Sequence, residues 1–221
     1  MINNMKIISL LGIAGSGKGT QCEKLRVSGE QYYVICPGDL LRDKIRKKEI
    51  SAENMKLVQA GKLLPFNVVN KIIFDEIERA ISLKIYSAIA LDGYPRCINQ
   101  SNALDNYLSG NGNKLEKVIL LSLDSDSAQD RLKKRFYCKQ CHKIYSTVSS
   151  EKAGFKCVQC GCQEFYTRED DSESSAIKKR FKVFAKETAD VVAKYENEGI
   201  LVEIDANDTP EEIYEEIIDN L

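Results

Sequence analysis

Nine residues near the N-terminus, Gly12 to Thr20, read GIAGSGKGT. Backbone N–H groups in such a glycine-rich turn point inward and form a nest for phosphate oxygens, and a helix starting there adds its positive end. Gly15, Ser16, Gly17, Gly19 and Thr20 are therefore candidate phosphate contacts, with Lys18 as a mobile cation for the terminal phosphates. The pattern GxxxxGK followed by Ser or Thr is met at Gly12, Gly17 and Lys18, but Gly19 fills its last place, which argues against a GTPase or a motor ATPase. The competing reading is a glycine-rich turn that binds nothing. The apolar run before the loop and the helical pattern after it favour phosphate.

Two further groups of residues could do chemistry. Cys138 and Cys141, then Cys157 and Cys160, form two CxxC pairs separated by fifteen residues, the spacing of a tetrahedral Zn²⁺ site on two knuckles. Four protein ligands close the coordination sphere, so the metal would be structural. Free thiols, or a zinc ribbon that grips nucleic acid, are the alternatives. Cys162 breaks the spacing and His142 adjoins Cys141, so neither is counted as a ligand. From Arg131 to Lys143, a run that overlaps the first cysteine pair, Arg131, Lys133, Lys134, Arg135, Lys139 and Lys143 lie in a stretch without acids. A nucleic-acid patch and a polyphosphate clamp compete here. Arg131 and Arg135, four apart, would share a helix face and reach one ligand together, and aromatic interleaving for base stacking is lacking.

The elements that must hold these residues alternate. Ile7–Leu11, Tyr32–Cys36, Ile85–Leu91, Lys117–Leu123 and Ile200–Ile204 are predicted strands. Between them, helices are predicted from Thr20, over 38–47, 67–82, 98–108, 127–136 and 178–197, the third carrying the stripe Val69, Ile73, Ile77, Ile81. Thr209, Pro210 and Glu212 supply a cap, a first-turn proline and a capping-box acid for a last helix with Ile213, Ile217 and Leu221 on one face. Residues 137–172 lose the helical period and read as loops and short strands. Alternation of this kind predicts an α/β fold, a doubly wound parallel sheet with helices on both faces.

Composition sets the outer bounds. The chain has 221 residues, 43% hydrophobic and 29% charged, with a net charge of -1, so disorder throughout is excluded and any nucleic-acid partner would need a local patch. A single His argues against His-based acid–base catalysis. No apolar run is long enough to span a bilayer. With no credible signal segment and no disulfide framework, a cytoplasmic monomer without nucleic-acid or membrane partners is expected.

The ordered motifs resemble the adenylate kinase family of nucleoside monophosphate kinases over essentially the whole chain. Gly12–Gln21 (GIAGSGKGTQ) is similar to the family's GxPGSGKGTQ, Cys36–Arg42 (CPGDLLR) to STGDxLR, Ala60–Pro65 (AGKLLP) to AGKLVP, and Asp92–Gln100 (DGYPRCINQ) to DGFPRTxxQ. Arg131–Phe136 (RLKKRF) is similar to RLxGRR, and Thr167–Glu173 (TREDDSE) to RxDDxE. The resemblance implies phosphoryl transfer from MgATP to AMP, with ATP and AMP as partners. It puts Arg131 and Arg135 on the donor phosphates, and Asp39 and Asp92 in the Mg²⁺–water network. Pro37, Arg42, Leu64, Gly93, Arg96 and Gln100 would line the acceptor site, and Arg168 and Arg180 would close over it. UMP/CMP kinases carry asparagines in the segment matching Gln100, so Gln100 favours AMP; a UMP/CMP kinase or a GTP-dependent AMP kinase is the nearest alternative. A zinc-ribbon nucleic-acid-binding protein with a regulatory nucleotide site is the alternative from another class. By resemblance to long forms with a zinc-held lid, the chain divides into a core (1–35, 67–134, 173–221), a helical acceptor insert (36–66) and a zinc-ribbon-like lid (135–172).

Overall fold

The structure is a computed structural model that describes residues 5–59, 64–146 and 155–221. Five strands, β1 (Lys6–Gly12), β2 (Tyr32–Ile35), β3 (Ala88–Asp92), β4 (Lys117–Ser122) and β8 (Leu201–Asp205), pair all-parallel in the order β2-β3-β1-β4-β8. Strand β1 lies at the centre, so its side chains are buried on both faces. Ile7 and Leu11 point into one apolar layer with α4 (Phe66–Leu83), α5 (Ile98–Gly110) and α9 (Ala189–Asn197). Ile8 and Leu10 point into the other, with α1 (Lys18–Val27) and α10 (Pro210–Asp219). Near-continuous apolar runs are what such doubly covered strands require.

The predicted stripe on α4 is the one that packs: Ile73 and Ile77 are wholly buried, with Val69 and Ile81 at its edges. The capping box at α10 also forms, the Thr209 hydroxyl accepting from the Glu212 N–H at 3.3 Å and the Glu212 carboxylate from the Thr209 N–H at 3.0 Å. Helices α2 (Pro37–Arg46) and α3 (Ala52–Gln59) follow β2. Of the AGKLLP segment, residues 60–63 lie outside the described residues.

Three expectations need correcting. The predicted strand 85–91 begins only at Ala88, leaving Ile85 60% exposed. The predicted helix 127–136 is α6 (Ser125–Lys133), ending before Arg135. Arg135–Cys138 is instead β5, paired antiparallel with β6 (Ile144–Ser146) and β7 (Phe165–Tyr166). Cross-strand packing decides this: Phe136 meets Phe165 at 5.3 Å and Tyr145 at 5.7 Å between ring centroids, contacts between segments distant in sequence. The predicted helix 178–197 starts earlier, as α8 (Ser174–Val183), and is interrupted by a π-turn (Phe184–Thr188) before α9. Between β7 and α8 lies a single turn, α7 (Glu169–Ser172).

Candidate active site

The glycine-rich loop joins the end of β1 to α1, at the carboxyl edge of the sheet, where open α/β sheets bind ligands. Gly15 has φ +91°, and a Cβ there would stand 2.6 Å from the Ala128 carbonyl of α6, so only glycine fits. Ser16 is buried, Gly17 caps α1, and Thr20 is exposed at its first turn. Lys18 Nζ donates to the carbonyls of Gly12 (2.7 Å) and Ile13 (2.8 Å). At Gly19, the departure from the common motif, a Cβ would lie 3.3 Å from Ile144 Cδ1 of β6, the movable end of a side chain.

Other predicted cations converge on this loop. Gly93 follows β3, and a Cβ on it would stand 3.2 Å from Arg96 Nη2 and 3.6 Å from Lys18 Cε, so the two cations flank it. Burial, together with Arg96, Arg135 and Arg180, lowers the Lys18 pKa to about 8, although Asp92 opposes the shift. Asp92 ends β3; burial raises its carboxyl above the ordinary value while Lys18 and Arg96 pull it back. An anionic ligand would relieve the crowding of these cations.

Arg96 is held at three points. Its N–H donates to Gln100 Oε1 at 2.8 Å, its Nε to the Gly93 carbonyl at 2.8 Å, and its own carbonyl accepts from the Thr188 hydroxyl at 3.0 Å. Arg135 and Arg180 meet on Asp171, whose side chain is wholly buried. Arg135 forks onto it (Nε to Oδ2 2.9 Å, Nη2 to Oδ1 2.6 Å), Arg180 Nη1 donates to Oδ1 at 2.8 Å, and the Tyr137 hydroxyl to Oδ2 at 3.1 Å. Burial pushes the Asp171 carboxyl up, but the two guanidinium groups outweigh it and hold it below the ordinary value. Arg168 lies 3.9 Å over the Tyr137 ring and reaches Asp39 Oδ1 at 3.4 Å, an oxygen also gripped by Arg42 of α2. Pro37 is buried in the first turn of α2, and Leu64 is half-buried ahead of α4.

Arg131 stands on α6 whereas Arg135 stands on β5, so the expected common helix face does not exist. Among the described residues Arg131 makes no hydrogen bond or ion pair, which leaves its guanidinium available. Asp171 as the organiser of Arg135 and Arg180 escaped the sequence reading. The DDSE run contained it, but nothing local distinguishes Asp171 from Asp170.

The four predicted cysteines form a second centre: their Sγ atoms all lie within 4.8 Å of one another, Cys138 with Cys160 at 3.5 Å and Cys141 with Cys157 at 3.3 Å. Tetrahedral Zn²⁺ with Zn–S near 2.3 Å places sulfurs about 3.8 Å apart, so the set fits. The two knuckles repeat one turn. His142 and Gly161, both at positive φ, donate N–H to the carbonyls of Cys138 (3.0 Å) and Cys157 (2.8 Å). Burial pushes the Cys157 thiol up, but donors led by the Tyr145 hydroxyl bring it to about 6, which favours the thiolate. Cys162 faces away, its Sγ taken by the Glu164 N–H at 3.3 Å.

Parallel sheet, phosphate loop and converging cations define a P-loop kinase fold. The family model described as adenylate kinase matches residues 10–200. Adenylate kinase of Elusimicrobium minutum is 35% identical, with 96% of each chain covered; that of Caldanaerobacter subterraneus subsp. tengcongensis is 34% identical, over 96% of this chain and 94% of its own. That of Lactobacillus helveticus is 32% identical over 94% of each. The chain belongs to the adenylate kinase family.

Proposed function

We propose a division of labour for the family's reaction, the reversible transfer of the terminal phosphoryl group of ATP to AMP to give two ADP. The observation that carries it is the gathering of Arg96, Arg135 and Arg180, with Asp92, about Lys18 at the carboxyl edge of the sheet. The acceptor phosphate has a second pKa near 6, so at neutral pH it is mostly a dianion and needs no general base. What the reaction needs is positioning and cancelled repulsion. Residues Gly15 to Thr20 would hold the donor phosphates, with Arg131 and Arg135 on their outer side. Arg42 and Arg96 would hold the acceptor phosphate, and Arg168 and Arg180 would cover both.

Gln100 would read the acceptor base. Because its Oε1 already accepts from the Arg96 N–H, its amide offers a donor, Nε2, which suits the N1 acceptor of adenine and not the N1–H of guanine. Pro37, in place of the family's threonine, supplies no hydroxyl and no N–H, which weakens AMP binding.

Mg²⁺ bound with ATP supplies charge neutralisation between the phosphates. Asp92 would orient its bound water: this carboxylate ends β3 beside the phosphate loop, and the Asp39 carboxylate approaches it from α2. A structural Zn²⁺ on Cys138, Cys141, Cys157 and Cys160 would fix the lid of residues 135–172, letting it close as a unit over the core (1–35, 67–134 and 173–221) and the acceptor insert (36–66). Among the described residues no helix is long and apolar enough to cross a membrane, and thiolate ligands need a reducing compartment such as the cytoplasm.

The test is a coupled assay of ADP formation with AMP, UMP, CMP and GMP against ATP and GTP. AMP with ATP should be preferred, and Gln100→Ala should lose discrimination among monophosphates more than affinity for ATP. Preference of the wild type for UMP or CMP would overturn the Gln100 assignment. Salt-dependent binding of RNA or DNA by the folded protein would instead favour a nucleic-acid role.

A further inference from the structure

The π-turn at Phe184–Thr188 interrupts one continuous helical rod running from Ser174 to Asn197. Such single π-turns mark places where a helix is re-aimed, often beside functional sites. Here the residue it delivers is Thr188, 2% exposed, whose hydroxyl donates to the carbonyl of Arg96, 92 positions away. A helical threonine ordinarily turns its hydroxyl back to its own helix. Thr188 spends it on another segment instead.

The partner is significant. Arg96 has its N–H held by Gln100 and its Nε by Gly93, so Thr188 completes the set by fixing the one remaining backbone polar group. Below this contact, α9 is secured to α5 without Thr188: Lys194 Nζ donates to Ser101 Oγ at 2.7 Å and pairs with Asp105, and Ser101 Oγ donates to the Tyr195 hydroxyl at 2.9 Å. Above it, the same rod carries Arg180, paired with Asp171. Helix docking therefore does not depend on the Thr188 hydroxyl, which is left with one mechanical task.

We infer that Thr188 is a positioning residue for the acceptor phosphate: it sets the Arg96 backbone and ties that arginine to the helix bearing Arg180. The inference rests on the reading of Arg96 as an acceptor-phosphate cation. It names no new catalytic group, since Thr188 acts only through Arg96. A device of this kind links the helical rod that grips the lid's Asp171 to the acceptor side of the site.

Steady-state kinetics of Thr188→Val, Thr188→Ser, Arg96→Ala and the double variant Thr188→Val with Arg96→Ala test it. Valine keeps the shape and removes the hydroxyl. One lost hydrogen bond of about 1 kcal/mol corresponds to roughly a fivefold change, so KM for AMP should rise about fivefold while KM for ATP changes less than about twofold. Serine should restore the wild-type value within about twofold. In the Arg96→Ala background, Thr188→Val should add almost nothing, because coupled residues are non-additive. Equal rises in both KM values, an unchanged KM for AMP, or the full fivefold effect persisting without Arg96 would each overturn the inference. Should valine fail to fold, Thr188→Ala is judged by the same criteria. If Arg96→Ala itself leaves KM for AMP unchanged, the acceptor reading fails; if it raises KM and Thr188→Val does not, only the present inference fails.

Discussion

The phosphate loop and the cysteine-bearing sheet face the same site and are stabilised by opposite means. The loop hangs from β1, whose Ile7, Ile8, Leu10 and Leu11 are buried between two apolar layers, so hydrophobic packing sets its position before any ligand binds. The sheet of β5, β6 and β7 is too small for such a core. It relies on four clustered thiols, a knot of aromatic rings around Phe136 and Phe165, and the buried Asp171 carboxylate. One region is held by area removed from water, the other by a few discrete bonds. Damage to the second should therefore be local and abrupt, and damage to the first should be chemical where it touches Lys18 and global where it touches β1.

The largest effect expected is on the loop's chemistry. Lys18→Ala should lower turnover at least about 10²-fold, the scale of single preorganised charges, with the far-ultraviolet spectrum unchanged. Arg96→Ala and Arg135→Ala should behave alike, and near-normal activity in folded Arg96→Ala would break the assignment. The pH dependence of stability sharpens the point. With the folded Lys18 pKa lowered to about 8 from an unfolded value of 10.5, the unfolded chain binds more protons between those values. Unfolding free energy of the nucleotide-free protein should therefore gain a rising contribution from pH 8 to 10.5, and Lys18→Met should remove it in denaturant titrations.

Next comes the metal. Chelation of Zn²⁺, or Cys138→Ser, should open residues 137–172 to protease while the core keeps most of its helical signal. Turnover should fall by about tenfold, corresponding to about 1.4 kcal/mol of lost lid positioning. Cys162→Ser should retain the metal by elemental analysis. Loss of metal in Cys162→Ser but not in Cys160→Ser would refute the ligand set.

Asp171→Asn should give a smaller effect at neutral pH and a diagnostic one in acid. Because the folded carboxyl lies below its ordinary value, its stabilising contribution is present above the ordinary carboxylate range and is lost as pH falls through the folded value. Hydrogen-exchange protection factors at β5 and α7, corrected for the intrinsic pH dependence of exchange, should fall in acid in the wild type and be low at all pH values in Asp171→Asn. The smallest change expected is Gly19→Ala, where the new methyl meets the flexible end of Ile144. KM for ATP should rise roughly twofold, well under 1 kcal/mol, and Ile144→Ala should relieve it.

Local patterns were legible where local bonds do the holding. The phosphate loop, the two CxxC knuckles and the Thr209–Glu212 capping box are each closed by hydrogen bonds or ligands within a few residues, so residue type and spacing suffice. The parallel sheet was legible because doubly buried strands must be continuously apolar. Arg135 was misplaced on a helix because its neighbours have helical composition, and only pairing with β6 and β7 makes that segment a strand. Asp171 meets Arg135 across 36 residues, and Thr188 meets Arg96 across 92. No periodicity encodes such pairs, because their free energy comes from excluding water between segments that the fold alone brings together.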